Sequence, residues 1–310
     1  MAMNAVNEAS AQLIKQWLDK CEREGILPWK WDFKLESVAG NNKNVLDIQN
    51  ESDPIQRIFM WYRLPKKESP ETEQTELAKA IYTVAFGVDR KQLGIGFSMD
   101  VMNSFWTTYQ WAILKRYGIS FVKSIEFGNE HDTSDPADHS LRNEYSDYSA
   151  VNDLFKPFAA AEHTIGNFVL VSRGFNNGRG NYDYWDLGMW LIKTFLDYVE
   201  SSAWEGYVDK LFLQPFVTDT YEVAEFWEDH FDESESIKPD GGEDKQKTSQ
   251  LISQWLNHTY LSIEERGKFI TKTLCETLGE KDYQFYKTHL ETLSFTPKFA
   301  NELWPDFKKK

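Results

Sequence analysis

Leu13-Ile14-Lys15-Gln16-Trp17-Leu18-Asp19-Lys20-Cys21 sets apolar residues three and four positions apart, with charged and amide side chains between them. That spacing gathers the apolar groups on one side of a 3.6-residue turn, so residues 6–24 are predicted as an amphipathic helix ending at Gly25. The same pattern recurs at Leu77, Ile81 and Val84. It is clearest over 98–117, where Met102, Phe105, Trp106, Tyr109 and Ile113 share a face ahead of Gly118. Later, Trp204, Tyr207, Val208, Leu211 and Phe212 form one such face, and Leu251, Ile252, Trp255 and Leu256 another. Asp53 before Pro54 and Gln56 reads as a helix start, with a stop near Pro65, because a carboxylate accepts from free N–H groups and proline suits the first helical position. Ser262 and Glu265 have capping-box spacing ahead of Ile263, Ile270 and Leu274.

Period two is rarer. Trp29, Trp31, Phe33 and Leu35 alternate with Lys30, Asp32 and Lys34, which predicts a strand with one wet face, and Ile119, Phe121, Ile125 and Phe127 suggest a second. Residues 37–52, 66–74 and 128–150 are polar and read as loops or linkers. The fold class expected is mainly α with a few short β-strands: a single compact domain over 1–310 with a helical second half and a mobile acidic loop at about 229–247.

Composition narrows the setting. With 12 Trp, 14 Tyr and 21 Phe in 310 residues, the chain carries far more large apolar surface than a disordered polypeptide. Cys21 and Cys275 are too few for a disulfide framework or a thiolate zinc site, which fits a reducing compartment. No stretch reaches the ~18–20 consecutive apolar residues of a membrane span, and the N-terminus has no signal-peptide core, so the expected setting is cytoplasmic, with no membrane. A net charge of −15 repels phosphate backbones at long range and argues against broad nucleic-acid binding.

Several catalytic signatures are missing from the chain: there is no Walker loop, no dinucleotide-binding glycine fingerprint, no GxSxG elbow and no HExxH. Ser120-Phe121-Val122-Lys123 has the SxxK spelling in a segment of period two, where the pair falls on no common helix face. His131, Asp132, Asp135, Asp138 and His139 offer metal-ligand chemistry within one run, set against a turn-rich loop that favours the same residues. The acidic stretch 222–244 imitates a DNA backbone in charge, or is simply a solvated face. No cofactor is expected, and no metal site is assigned.

The segment of most chemical interest runs from Glu162-His163-Thr164-Ile165-Gly166-Asn167 through an apolar stretch to Arg173-Gly174-Phe175-Asn176-Asn177-Gly178-Arg179-Gly180 and Asp183-Tyr184-Trp185-Asp186. Its glycines permit close backbone approach, and His163 is a side chain suited to neutral-pH chemistry. The candidate catalytic residues are His163, Asn167 and Asn177. The candidate binding residues are Arg173, Arg179, Asp183, Trp185, Asp186 and Asn103. The rival reading makes His163 and the asparagines ties that hold down a tight, glycine-rich connection.

The HTIGNF…FNNGRG…DYWDL pattern, together with Met99–Trp106 and Gly206–Gln214, resembles an uncharacterised family of bacterial proteins over residues 93–227. More locally, His163-Thr164-Ile165-Gly166-Asn167-Phe168 followed by Asn177 is similar to the His-x-x-Gly-Asn-Leu…Asn signature of HNH-type (His-Me finger) nuclease domains attached to modification-dependent restriction enzymes. That resemblance implies a histidine that activates water, an asparagine that orients it and a single metal ion. The upstream Asp/Glu-His-Ile-x-Pro element is absent; Glu130-His131-Asp132 stands nearest and lacks the proline, and the lysine that follows the second asparagine is missing. The lead expectation is therefore an intracellular bacterial accessory protein linked to phage defence or mobile elements, binding a ligand, nucleic acid or protein partner at the 163–186 surface. The alternatives are a metal-dependent HNH-like endonuclease and an acidic DNA mimic.

Overall fold

A computed structural model describes residues 5–35, 47–48, 50–62, 72–93, 97–105, 108–109, 112, 149–172, 187–199, 203–223 and 245–294. Helices dominate, with a two-stranded antiparallel sheet as the only sheet among the described residues. In chain order the main elements are α1 (Ala5–Glu24), α2 (Pro54–Tyr62), α3 (Glu76–Phe86), β1 (Phe97–Val101), α4 (Ser149–Ala161), β2 (Phe168–Ser172), α5 (Leu187–Val199), α6 (Ala203–Leu211) and α7 (Lys245–Leu278).

The expected helix starts and faces account for much of this. Ile14, Trp17, Leu18 and Cys21 of α1 are buried, and α1 packs on α3. α2 begins as its sequence suggests, with Asp53 Oδ1 accepting from the Ile55 amide at 2.9 Å. Thr75 caps α3 by accepting from the Ala78 amide at 3.2 Å, and Gly87 closes it at φ +65°, a left-handed conformation that costs glycine little.

α7 is the spine. Its 34 residues extend over roughly 50 Å at 1.5 Å per residue. It packs against α4, α3 and the turns at 28–30, 165–167 and 214–216. Phe155 and Phe158 of α4 meet Tyr109 and Trp255, with ring centroids 5.3 Å apart for Tyr109–Phe155 and 6.2 Å for Phe158–Trp255. One apolar cluster contains residues from Ile14 to Leu290, and Ile48 with Trp61 forms a second, small one.

Three expectations are corrected. Residues 29–35 form two 3₁₀ turns, Pro28–Lys30 and Phe33–Leu35, where a strand was expected. Pro28 opens the first turn, and Asp32 Oδ1 bends the chain by accepting from the Lys34 amide at 2.9 Å. The supposed wet face is largely dry, because Asp32 and Lys34 are buried along with Trp29, Trp31 and Phe33.

Phe97–Val101 form a strand, which overturns the first four residues, 98–101, of the helix expected over 98–117. Met99 pairs with Leu170 and Asp100 with Val169 in β2, a partner some seventy residues away that local spacing cannot reveal. Helical conformation does hold at Phe105, Thr108, Tyr109 and Ala112, and the Thr108 amide donates to the Ser104 carbonyl at 3.3 Å.

Ser262 caps nothing. It lies inside α7, and its hydroxyl donates to the Pro215 carbonyl at 3.0 Å. The strand expected over 119–127, the ligand-rich run 131–139 and nearly all of the acidic loop 229–247 lie outside the described residues, although 245–247 already belong to α7. No helix among the described residues is long and apolar enough to cross a membrane.

Candidate functional site

The HTIGNF motif occupies the turn between α4 and β2. α4 ends at Ala161, Ile165–Asn167 form a 3₁₀ turn, and β2 follows directly. Every residue from Ala161 to Val171 is buried, so the motif is an interior junction.

Asn167 ties that junction to the segment after β1. Its Oδ1 accepts from the Asn103 amide at 3.0 Å and from Asn103 Nδ2 at 3.4 Å. Its Nδ2 donates to the Asn103 carbonyl at 2.9 Å and to the Glu162 carbonyl at 2.8 Å. Its main-chain carbonyl accepts from the Met102 amide at 2.7 Å. Asparagine suits this position because it presents one acceptor and two donors in a plane, enough to satisfy buried backbone groups of both signs. Replacing Asn167 by alanine strands the Asn103 N–H and C=O and the Glu162 C=O, and the expected cost is about 2–3 kcal/mol in urea unfolding. A variant within about 0.5 kcal/mol of wild type contradicts the anchoring role.

His163 belongs to a buried charge cluster. Its Nδ1 lies 3.0 Å from Lys34 Nζ and 3.2 Å from Glu162 Oε2. Lys34, 1% exposed, stands 3.5 Å from Asp32 Oδ2, which also faces Arg57 Nη1 of α2 at 3.4 Å. Glu162 Oε1 accepts from the Phe105 amide at 2.8 Å, and the Phe33 amide donates to the His163 carbonyl at 2.9 Å. Burial alone would raise the pKa of Glu162, but the charges of His163 and Lys34 and the Phe105 N–H outweigh it and hold the carboxyl below its ordinary value. The stability this carboxylate contributes is therefore present at neutral pH and lost as the pH falls through its lowered pKa.

A second buried cation supports the same turn from behind. Arg266 of α7 donates through Nη1 to the Gly166 carbonyl at 2.8 Å and the Phe168 carbonyl at 2.6 Å, and through Nε to the Leu211 carbonyl at 3.0 Å. Burial lowers its pKa from the ordinary value, opposed by the neighbouring Tyr82 and Tyr207; burial likewise raises that of Tyr82. Gly166 itself presses on α7: a Cβ there would sit 1.9 Å from the Ile263 carbonyl oxygen.

Of the residues singled out from sequence, His163, Asn167 and Asn103 thus come together, while Arg173, Asn177, Arg179, Asp183, Trp185 and Asp186 lie outside the described residues. Lys34, Asp32, Arg57 and Arg266 complete the constellation and were not selected. The two at 32 and 34 read as a solvated face, and their signal was masked by an alternation with aromatics. Arg266 had a visible one: a charged residue three positions beyond Ile263 and four before Ile270, on an apolar helical stripe.

The metal that the nuclease resemblance implies does not suit the described part of this site. Nδ1 of His163 is held against an ammonium group, which a cation there would displace, and no group of three His, Cys, Asp or Glu side chains among the described residues is placed to hold a metal. Compared with family models, with curated proteins and with solved structures, the chain matches none.

Proposed function

We propose that the chain is an accessory binding protein in which the buried 162–167 turn is a rigid support, and the polar and aromatic residues that follow β2 (Arg173, Arg179, Asp183, Trp185 and Asp186) provide the contact surface. The observation that carries this reading is the use made of Asn167: its amide group is spent on main-chain bonds to Asn103 and Glu162. An asparagine so engaged supports a junction and has no spare group to orient a catalytic histidine. His163, 7% exposed and set between Lys34 and Glu162, supports the same reading, since a general base needs reach to its proton. A protein partner is favoured over nucleic acid because a net charge of −15 opposes a phosphate backbone. A link to phage defence or mobile elements rests on the motif's likeness to restriction-associated nuclease domains.

Two measurements test this. Incubated with supercoiled plasmid and with single-stranded RNA in magnesium, manganese or zinc, the purified chain is expected to leave both intact. Cleavage that falls by about 100-fold or more in His163→Ala would establish the HNH-like endonuclease instead. Cross-linking of the tagged chain in extract of its source cells is expected to yield a protein complex that an Arg173→Ala/Arg179→Ala variant no longer forms, with an unchanged melting temperature. Retention of that complex by the double variant removes 173–179 from the contact surface.

A further inference from the structure

One nitrogen atom, Nδ1 of His163, has two partners of opposite demand. Lys34 Nζ at 3.0 Å is a donor with no lone pair to offer while charged, and Glu162 Oε2 at 3.2 Å is an acceptor with no proton while ionised. A ring nitrogen cannot serve both at once. Unprotonated, Nδ1 accepts from Lys34 and the neutral ring carries its proton on Nε2; protonated, Nδ1 donates to Glu162 and faces the ammonium with like charge. We propose that His163 is a proton-operated latch: the neutral ring fastens Lys34, and with it the 31–35 segment, to the 162–167 turn, and the protonated ring exchanges Lys34 for Glu162 and loosens that fastening.

The charge arrangement supports two discrete states. Among the described residues, the charged groups facing His163 are Glu162 from its own turn and Lys34 from the turn 33–35, with Asp32 and then Arg57 of α2 behind Lys34. Protonation of the ring adds one positive charge within 3.0 Å of the Lys34 ammonium. Excess charge in a site where Lys34 is 1% exposed is costly unless a cation moves toward water. Glu162, held below the ordinary carboxylate range, stays ionised while a histidine titrates, so it remains available as the second partner. The Phe33 amide, bonded to the His163 carbonyl at 2.9 Å, couples the ring to the backbone of the N-terminal segment. This latch is independent of what the 173–186 segment binds, and its test involves no partner.

The test is long-range ¹H–¹⁵N correlation of the imidazole rings in the whole chain from about pH 8 to about pH 5, with His163 assigned by its loss in His163→Gln. At the upper end, His163 Nδ1 is expected at the shift of an unprotonated ring nitrogen, with the proton on Nε2. On acidification it is expected to become protonated, with the Phe33 amide shift following the same midpoint. Lys34→Met removes the competing cation and is expected to raise that midpoint by about one pH unit or more, whereas Glu162→Gln lowers it by a similar amount, a tenfold change in proton affinity in each direction. Nδ1 protonated already at the upper end, or still unprotonated at the lower, overturns the latch, as does a Phe33 amide indifferent to the ring's titration. These wild-type readings decide the matter even where a substitution prevents folding.

Discussion

Replacing Arg266 by methionine is expected to destabilise the protein by about 3–5 kcal/mol, enough to abolish much of the stability of an ordinary domain. The guanidinium is fully buried and satisfies three main-chain carbonyls, those of Leu211, Gly166 and Phe168. Methionine fills a similar volume but leaves all three acceptors without a donor in a site closed to water. Removal of a costly buried charge offsets part of that loss, which is why the expected value falls below the sum of three stranded acceptors. Arg266→Lys should rescue little, because one ammonium cannot reproduce the planar fork that spans α6, the 165–167 turn and β2. Urea unfolding of both variants checks this. A methionine variant within about 1 kcal/mol of wild type would mean that the carbonyls find other donors.

Gly166→Ala is expected to cost about 4 kcal/mol or more, or to prevent folding, since the new methyl would lie 1.9 Å from the Ile263 carbonyl oxygen and 3.0 Å from the Gly267 nitrogen. Those neighbours are backbone atoms of α7, which cannot rotate aside as a side chain does. Gly206→Ala is the internal control: it lies within α6 with nothing within 4 Å of its added methyl, and it is expected to stabilise by about 0.5–1 kcal/mol through a less disordered unfolded chain. Melting temperatures should move in opposite directions for the two substitutions. A tolerated Gly166→Ala would show that the turn does not sit against α7 as described.

The glycine and asparagine of the HTIGNF motif therefore have a packing explanation at hand. Gly166 allows a turn to touch a helix backbone, and Asn167 closes the buried polar groups that such contact leaves. Residue types that suggest chemistry in a sequence are the same types that resolve a crowded polar junction, because both tasks call for compact groups with donors and acceptors in fixed directions.

What the sequence by itself determined is the helical character of the chain and several of its boundaries. The apolar spacing of α1, α3, α6 and α7, the Asp53 cap and the glycine stop at 25 are local properties, settled by side chains within one or two turns of each other. Strand pairing, burial and site assembly were decided only by tertiary structure. Residues 98–101 carry polar and apolar groups that suit a helix or a strand, and pairing with β2 selects the strand. Lys34 and Ser262 carry signals of a wet face and a helix cap until Glu162, His163 and Pro215 arrive from distant positions to surround them. The physical reason is one of range: backbone preference acts between neighbours, whereas desolvation and charge pairing depend on groups brought together from distant positions, 47 residues apart for Ser262 and Pro215 and 129 for Lys34 and His163.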